Sequence, residues 1–141
     1  MTLKVSKAEV WSATIDDRAG GAADKLEPLS RAGANLEFVL ARRTPEQPGM
    51  GVIYVAPVRG AKVMQAAQAA GFGKSTAIQS LRIEGTDKPG VTANVTRCLA
   101  QAGISFRGLC AIGIGKKFVN FIALDSAEDA AKAAGLLRKL G

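Results

Sequence analysis

The sequence predicts an α+β fold made of two copies of one module, each an antiparallel sheet with both helices on one face. One observation is a repeat: residues 81–109 match residues 11–39 without a gap, seventy positions apart. The other is the order of patterns in each copy, which is strand, helix, strand, strand, helix. A repeat of this period corresponds to a whole small domain rather than to a solenoid unit. We therefore divide the chain into residues 1–72 and 73–141, and expect the function where the two modules meet.

The first strand of each copy shows the alternation of a half-buried strand. Trp11, Ala13 and Ile15 are separated by polar residues, and so are Leu81 and Ile83. Because the apolar residues of such a strand face the core, we expect Trp11 to be buried.

A helix with one apolar face follows in each copy. In the second copy this face carries Val91, Val95, Leu99 and Ala102. Gly103 then suits the left-handed position that ends a helix. In the first copy Pro28 lies inside the helix, where we expect it to kink or shorten the helix.

A hairpin comes next in each copy. The first joins residues 36–40 to residues 52–56. The second joins residues 106–112 to residues 118–124, across the turn at 113–116. An alanine-rich helix follows the hairpin in each copy. The two helices of each copy would then cover one face of its sheet.

The second copy is one strand short of a four-stranded sheet. Its last helix opens with the capping-box-like Ser126-Ala127-Glu128-Asp129, and the sequence stops soon after that helix. In the first copy, Lys74 to Ile78 can serve as the fourth strand. We predict that Leu3-Lys4-Val5-Ser6 fills the vacant edge beside Leu81 to Ile83, since an unfilled edge is prone to wrong pairing.

Composition excludes several classes of protein. The chain is 48% apolar, which is ordinary for a globular protein, yet no apolar run approaches the ~20 residues of a membrane helix. The alternating residues 1–7 do not form a signal peptide, so we expect a cytoplasmic protein. There is no histidine, and Cys98 and Cys110 lack the spacing of metal ligands. We expect no enzyme activity, no cofactor and no metal site.

The net charge of +7 leaves a nucleic-acid-binding module open as an alternative. RNA-recognition motifs share this topology and stack bases on sheet aromatics, for which Tyr54, Phe118 and Phe121 are candidates. No basic-aromatic signature surrounds them, however, and the cations are scattered. A purely structural oligomerisation module is a further alternative, and the sequence contains no feature for or against it.

The turn and strand-start residues of both copies resemble those of the ACT domain family. That family has a D-[RK]-P-G turn between strand and helix and an A-G-[IV]-N strand start about a dozen residues later. The second copy has the turn intact at Asp87-Lys88-Pro89-Gly90, with Ser105 in place of the asparagine. The first copy has Asn35, but Ala19 replaces the proline. The resemblance implies two ferredoxin-like βαββαβ modules, joined side by side in a continuous sheet, that bind amino acids as allosteric regulatory domains.

The chemistry of the turns is consistent with an amino-acid site. Gly20 and Gly90 let a ligand approach the backbone closely, and the helix N-terminus behind each glycine attracts a carboxylate. Arg18 and Lys88 add a cation, and Asp17 and Asp87 offer a partner for an ammonium group. The alternative is that each aspartate is only a helix N-cap and each Gly only part of a turn.

The resemblance also predicts how the turns are paired. The turn of one module would face the strand start of another, so that Asp87-Lys88-Pro89-Gly90 meets Asn35 and Asp17-Arg18-Ala19-Gly20 meets Ser105. The first pairing combines the better-matched halves and should be the tighter site. The expected partners are an amino acid or similar small ligand, a regulated enzyme and further copies of this chain. Neither a membrane nor nucleic acid is expected.

Overall fold

A computed structural model of the chain describes residues 3–75 and 78–140 and divides them into two compact units. The first module is residues 9–75, and the second module is residues 3–8 together with residues 78–140. This differs from a division at 72/73, because the N-terminal strand belongs to the second module. The elements are β1 (Lys4–Ala8), β2 (Trp11–Asp16), α1 (Gly21–Arg31), β3 (Phe38–Arg43), β4 (Met50–Ala56), α2 (Ala61–Ala69), β5 (Gln79–Thr86), α3 (Val91–Gln101), β6 (Phe106–Ile114), β7 (Lys117–Leu124) and α4 (Ala127–Arg138).

The second module contains a four-stranded antiparallel sheet in the order β1-β5-β7-β6. β1 pairs with β5 from Lys4 opposite Glu84 to Ala8 opposite Ser80, which confirms that the N-terminal segment fills the vacant edge. Leu3 is buried in the core of this module. Arg138, at the end of α4, donates a hydrogen bond to the carbonyl oxygen of Val5 at 3.1 Å. The first residues of the chain are thus an integral part of its C-terminal module.

The first module contains a three-stranded sheet in the order β2-β4-β3. Beside β2, where the fourth strand was expected, the described residues show a single bridge between Ser12 and Gly73, with N–H to oxygen distances of 3.0 and 2.9 Å. Lys74, Ser75 and Ile78 are not in a strand, and the two residues between Ser75 and Ile78 lie outside the described residues. The prediction of a strand from Lys74 to Ile78 is therefore wrong for its described part. Glycines at both sides of Phe72 disfavour an extended ladder here.

Among the described strands, each module has an edge strand with a single hydrogen-bonded neighbour. Each hydrogen-bonded ladder ends at its own edge strand, since β3 pairs only with β4 and β6 pairs only with β7. Val39 and Leu40 on β3 are exposed, as are Ile112 and Ile114 on β6. Both edges therefore present unpaired backbone groups together with apolar side chains.

Each module has its own apolar core between one face of its sheet and its two helices. Trp11, Ala13 and Ile15 are buried while the residues between them are more exposed, as the alternation predicts. In the second module, Val91, Val95 and Leu99 of α3 pack with residues of α4 on the inner face of β5 and β7. That cluster comprises Leu3, Leu81, Ile83, Val91, Val95, Leu99, Ile104, Phe118, Ile122, Leu124, Ala130, Ala133, Ala134 and Leu137.

The helix ends follow their capping residues. Gly103 has a φ of 71°, and the N–H groups of Gly103 and Ile104 donate to the carbonyls of Ala100 and Leu99, which is a Schellman motif. Ser126 accepts a hydrogen bond from the Asp129 N–H at 3.0 Å and caps α4 as predicted. Pro28 does not shorten α1, since α1 and α3 both contain 11 residues. No helix within the described residues is long and apolar enough to span a membrane.

The second hairpin turns more tightly than predicted. β6 continues to Ile114 and β7 begins at Lys117, so only Gly115 and Lys116 form the turn. Gly115 has a φ of 60°, which a two-residue hairpin turn requires.

Removing the N-terminal strand should destabilise the second module rather than the first. Leu3→Ala should lower the free energy of unfolding by about 2–4 kcal/mol, because it empties a buried core position. Deletion of residues 1–6 should have a larger effect. Hydrogen exchange should show lost protection in residues 79–137 with residues 11–56 unchanged. Lys7→Ala, which changes an exposed residue of β1, is the control. Loss of protection in both modules or only in the first would contradict the assignment.

Trp11, the single tryptophan, should report on the first module alone. Its side chain is 4% exposed, so its fluorescence should be blue-shifted in the native protein and should move to the red only when the first module unfolds. A denaturant titration followed by emission maximum measures this. A water-like emission maximum before unfolding would be inconsistent with its burial.

Candidate functional site

The two strand-to-helix turns share one backbone design. Gly20 and Gly90 stand at the N-caps of α1 and α3 with φ values of 88° and 86°, a region that favours glycine. No side chain caps either helix, so Asp17 and Asp87 do not act as N-caps. The first N–H of each helix donates within its turn, Gly21 to the carbonyl of Arg18 and Val91 to that of Lys88. The next N–H groups have no acceptor within the helix, and the positive end of the helix dipole lies at the turn.

In the first module this turn is occupied by the chain's own ion pairs. The Arg18 guanidinium lies 2.6 Å from Asp24 and 3.6 Å from Asp16, and it also donates to the carbonyl of Ala19. Hydrogen bonding and charge from Asp24 raise the pKa of Arg18 above that of an ordinary arginine. A Cβ atom at Gly20 would lie 3.4 Å from this guanidinium, so Arg18 covers the glycine.

The acidic group of the first turn is also engaged. Asp17 accepts a hydrogen bond from Nε of Arg43 at 2.8 Å, in an ion pair with β3. Since Arg18 and Asp17 both have partners within the module, the first turn has neither a free cation nor a free carboxylate to offer a ligand.

In the second module the corresponding turn is open. Asp87, Lys88, Pro89 and Gly90 are all exposed, and nothing lies within 4 Å of a Cβ placed at Gly90. The backbone N–H of Asp87 donates to the carbonyl of Lys116 at 2.9 Å, which fixes the turn against the hairpin. Among the described residues, neither the Asp87 carboxylate nor the Lys88 ammonium has an ion-pair partner. Asp87 Oδ2 lies over Gly113 of β6, 3.2 Å from where a Cβ would stand.

The strand-start residues are exposed but lie in different modules. Asn35 precedes β3 in the first module, and Ser105 directly precedes β6 in the second. Within the second module the structure brings together the Asp87 turn, the end of the β6–β7 hairpin and the first turn of α3.

Sequence reasoning missed Asn120 on β7. Its side chain is 0% exposed, and it is the buried polar residue of the described chain. Oδ1 lies 3.4 Å from the hydroxyl of Thr92 on α3, whereas Nδ2 has no hydrogen-bond partner. The available signal was a polar residue at an inward position between Phe118 and Ile122.

A second electrostatic cluster lies on β5 and its neighbours. Glu84 is 3.5 Å from Arg82 and 3.7 Å from Lys117, with its side chain 19% exposed. Partial burial acts to raise the pKa of Glu84. The charges of Lys117, Arg82 and Lys4 outweigh this effect, so the pKa lies below its usual range.

The aromatic residues of the central strands are poorly placed for nucleic-acid bases. Phe118 is 3% exposed and belongs to the core, and Phe121 is 8% exposed. Tyr54 is half-buried. Base stacking needs exposed ring faces, so this arrangement disfavours the nucleic-acid-binding alternative.

Comparison with known proteins identifies the fold. No protein-family model matches the chain, and no curated protein matches it by sequence. Protein BT0572 from Bacteroides thetaiotaomicron has a similar structure at a TM-score of 0.74 and 17% identity, over 98% of this chain and 99% of that one. The ligand-free regulatory subunit of aspartate kinase from Thermus thermophilus matches at 0.63 and 17%, over 97% and 95%. A putative C-terminal regulatory domain of aspartate kinase from Porphyromonas gingivalis matches at 0.54 and 12%, over 99% and 96%. At these identities the likeness establishes the fold alone, which is α+β and ferredoxin-like.

The Glu84 cluster predicts a pH dependence of stability. Because the folded pKa of Glu84 is lowered, its contribution is complete above the unfolded pKa of about 4.3 and is lost as the pH falls through the folded value. Glu84→Gln should reduce stability at pH 7 by about 0.5 kcal/mol, the scale of a partly solvated ion pair. Urea titrations at several pH values measure this difference. It should shrink below pH ~4; a difference that grows on acidification would contradict the sign.

Proposed function

We propose that the protein is a non-catalytic regulatory protein with tandem ACT modules that binds an amino acid at the Asp87-Lys88-Pro89-Gly90 turn. The observation that carries this proposal is the open state of that turn, with an unpaired carboxylate, an unpaired ammonium and an uncapped helix N-terminus together. The equivalent turn of the first module has its charged groups paired internally.

These groups complement the two charges of an amino acid. The backbone N–H groups at the start of α3 and the Lys88 ammonium suit the α-carboxylate. The Asp87 carboxylate suits the α-ammonium. Gly90 has no Cβ, so the carboxylate can approach the backbone closely.

The proposed site is completed by a strand start such as Asn35 of a second copy of the chain. The exposed edges of β3 and β6 support such a pairing, since their unpaired backbone groups can form a shared ladder. A ligand that bridges the paired modules would favour one arrangement over others by its differential affinity.

The regulatory assignment draws on the likeness to regulatory subunits and domains of aspartate kinase. By analogy, the effect of ligand binding would be transmitted to a partner enzyme rather than to a reaction on this chain. The ligand screen below identifies the amino acid.

A thermal-shift screen with the twenty amino acids tests the proposal. A ligand at a hundred times its dissociation constant should stabilise the folded state by ~2.7 kcal/mol. Asp87→Asn should weaken binding about tenfold or more, because a charge-assisted hydrogen bond is lost.

Asp17→Asn is the matched control and should leave affinity unchanged, since that carboxylate is paired with Arg43. Gly90→Val is less suitable, because a φ of 86° strains any β-branched residue. A flat screen would overturn the proposal, and salt-sensitive oligonucleotide binding would then favour a nucleic-acid-binding module.

A further inference from the structure

The buried amide of Asn120 is an exception to the apolar core of the second module. It points inward from β7, with Ile83 of β5 on one side and Ala111 of β6 on the other. The amide has an acceptor, Oδ1, at one end and a donor, Nδ2, at the other, and Thr92 satisfies only the Oδ1 end. If the amide were rotated so that Nδ2 and Oδ1 exchanged places, Nδ2 would donate to the Thr92 hydroxyl and Oδ1 would be left without a partner. Either orientation therefore leaves one amide atom unpaired.

The first module shows that the fold does not need this amide. Ile83 stands seventy positions after Ala13, and Ala13 pairs with Ile53. Ile53 is therefore the counterpart of Asn120, and it is also 0% exposed. A buried amide that lacks a hydrogen bond lowers the stability of the core, whereas an isoleucine at the same position does not.

The polar partner of Asn120 is also specific to the second module. Thr92 stands seventy positions after Ala22, so an Asn-Thr pair replaces an Ile-Ala pair at equivalent places. Thr92 is the second residue of α3, two positions after Gly90. The polar pair therefore lies under the open turn and not under the turn that Arg18 and Asp24 occupy.

Small residues of β6 lie between the open turn and Asn120. Ala111 and Gly113 of the edge strand β6 are exposed, and Asp87 lies over Gly113. Asn120 is one strand in from this edge. Thr92, which covers it from the helix side, is only half-buried.

We infer that Asn120, supported by Thr92, determines specificity at the Asp87–Gly90 site by hydrogen bonding to the side chain of the bound amino acid. This inference rests on the proposed function and deepens it. The ligand class is an amino acid whose side chain carries a hydrogen-bond acceptor, such as a hydroxyl or carboxamide oxygen. An aliphatic side chain of the same shape would leave Nδ2 unpaired and would bind more weakly.

Isosteric pairs of amino acids test this inference without relying on a variant. Binding of threonine is compared with valine, and binding of asparagine with leucine, by calorimetry or thermal shift on the full chain. We expect the polar member of at least one pair to bind the wild-type protein about tenfold more tightly, the effect of one hydrogen bond. Asn120→Ile introduces the residue that the first module has at this position, Ile53. It should abolish this preference, and it should raise the melting temperature because the unpaired amide is removed. Thr92→Ala should reduce the preference, and Ile53→Val in the first module should leave it unchanged.

The outcomes separate the two proposals. Equal preference in the wild type and in Asn120→Ile, or a wild-type preference for the aliphatic member, would overturn the role of Asn120 while the amino-acid site stands. Absence of any response by the wild-type protein to all twenty amino acids would overturn the amino-acid site and the role of Asn120 together.

Discussion

The pairing of β1 with β5 is the constraint on which the second module depends. The repeat encodes three strands and two helices, which leaves one edge of its sheet open. In the second module the chain's first residues close that edge, with Leu3 in the core and the Val5 carbonyl bonded to Arg138. β5 thereby becomes an interior strand, with β1 on one side and β7 on the other. The Asp87 turn follows directly from this interior strand. In the first module the same position beside β2 holds one bridge at Gly73.

The two modules share a backbone but differ in their unpaired polar groups. The first turn is closed by Arg18 with Asp24 and by Asp17 with Arg43, and its inner position is filled by Ile53. These exposed ion pairs contribute little stability, but they occupy the charged groups that a ligand would need. Within residues 3–75 and 78–140, Asp87 and Lys88 of the second turn have no ion-pair partner, and Nδ2 of Asn120 has no hydrogen-bond partner. This difference between the two copies is the support for the proposed site, because the first copy shows how the same fold pairs these groups internally.

Local patterns in the sequence predicted most of the fold. The alternation at Trp11, Ala13 and Ile15 and the apolar face of α3 require only the periods of strand and helix. The borrowed strand was predictable as well, since the repeat offset exposed a vacancy beside Leu81. Pro28 was predicted to kink or shorten α1, and it does not shorten it. The strand expected from Lys74 to Ile78 is absent in its described part, and a single bridge lies before it, at Gly73. In both cases the packing of the module, which no local pattern encodes, determined the result.

The candidate site was predicted only in outline. The Asp-Lys-Pro-Gly motif marked the turn, but not that Arg18 fills the first copy while the second stays open. That difference depends on which side chains meet across the fold, as with Asp17 and Arg43, which are 26 positions apart. Asn120 was missed because a single polar residue among alternating apolar residues does not by itself predict a functional role. Its significance follows from its counterpart, Ile53, which only the strand registers identify.

The central claim is that only one of the two repeated turns binds a ligand. Isothermal titration calorimetry with the amino acid that gives the largest thermal shift measures the number of sites per chain directly. The asymmetry of the turns predicts one bound amino acid per chain, and a stoichiometry that Asp17→Asn leaves unchanged. Two equivalent sites per chain, or one site that is lost in Asp17→Asn and retained in Asp87→Asn, would contradict it.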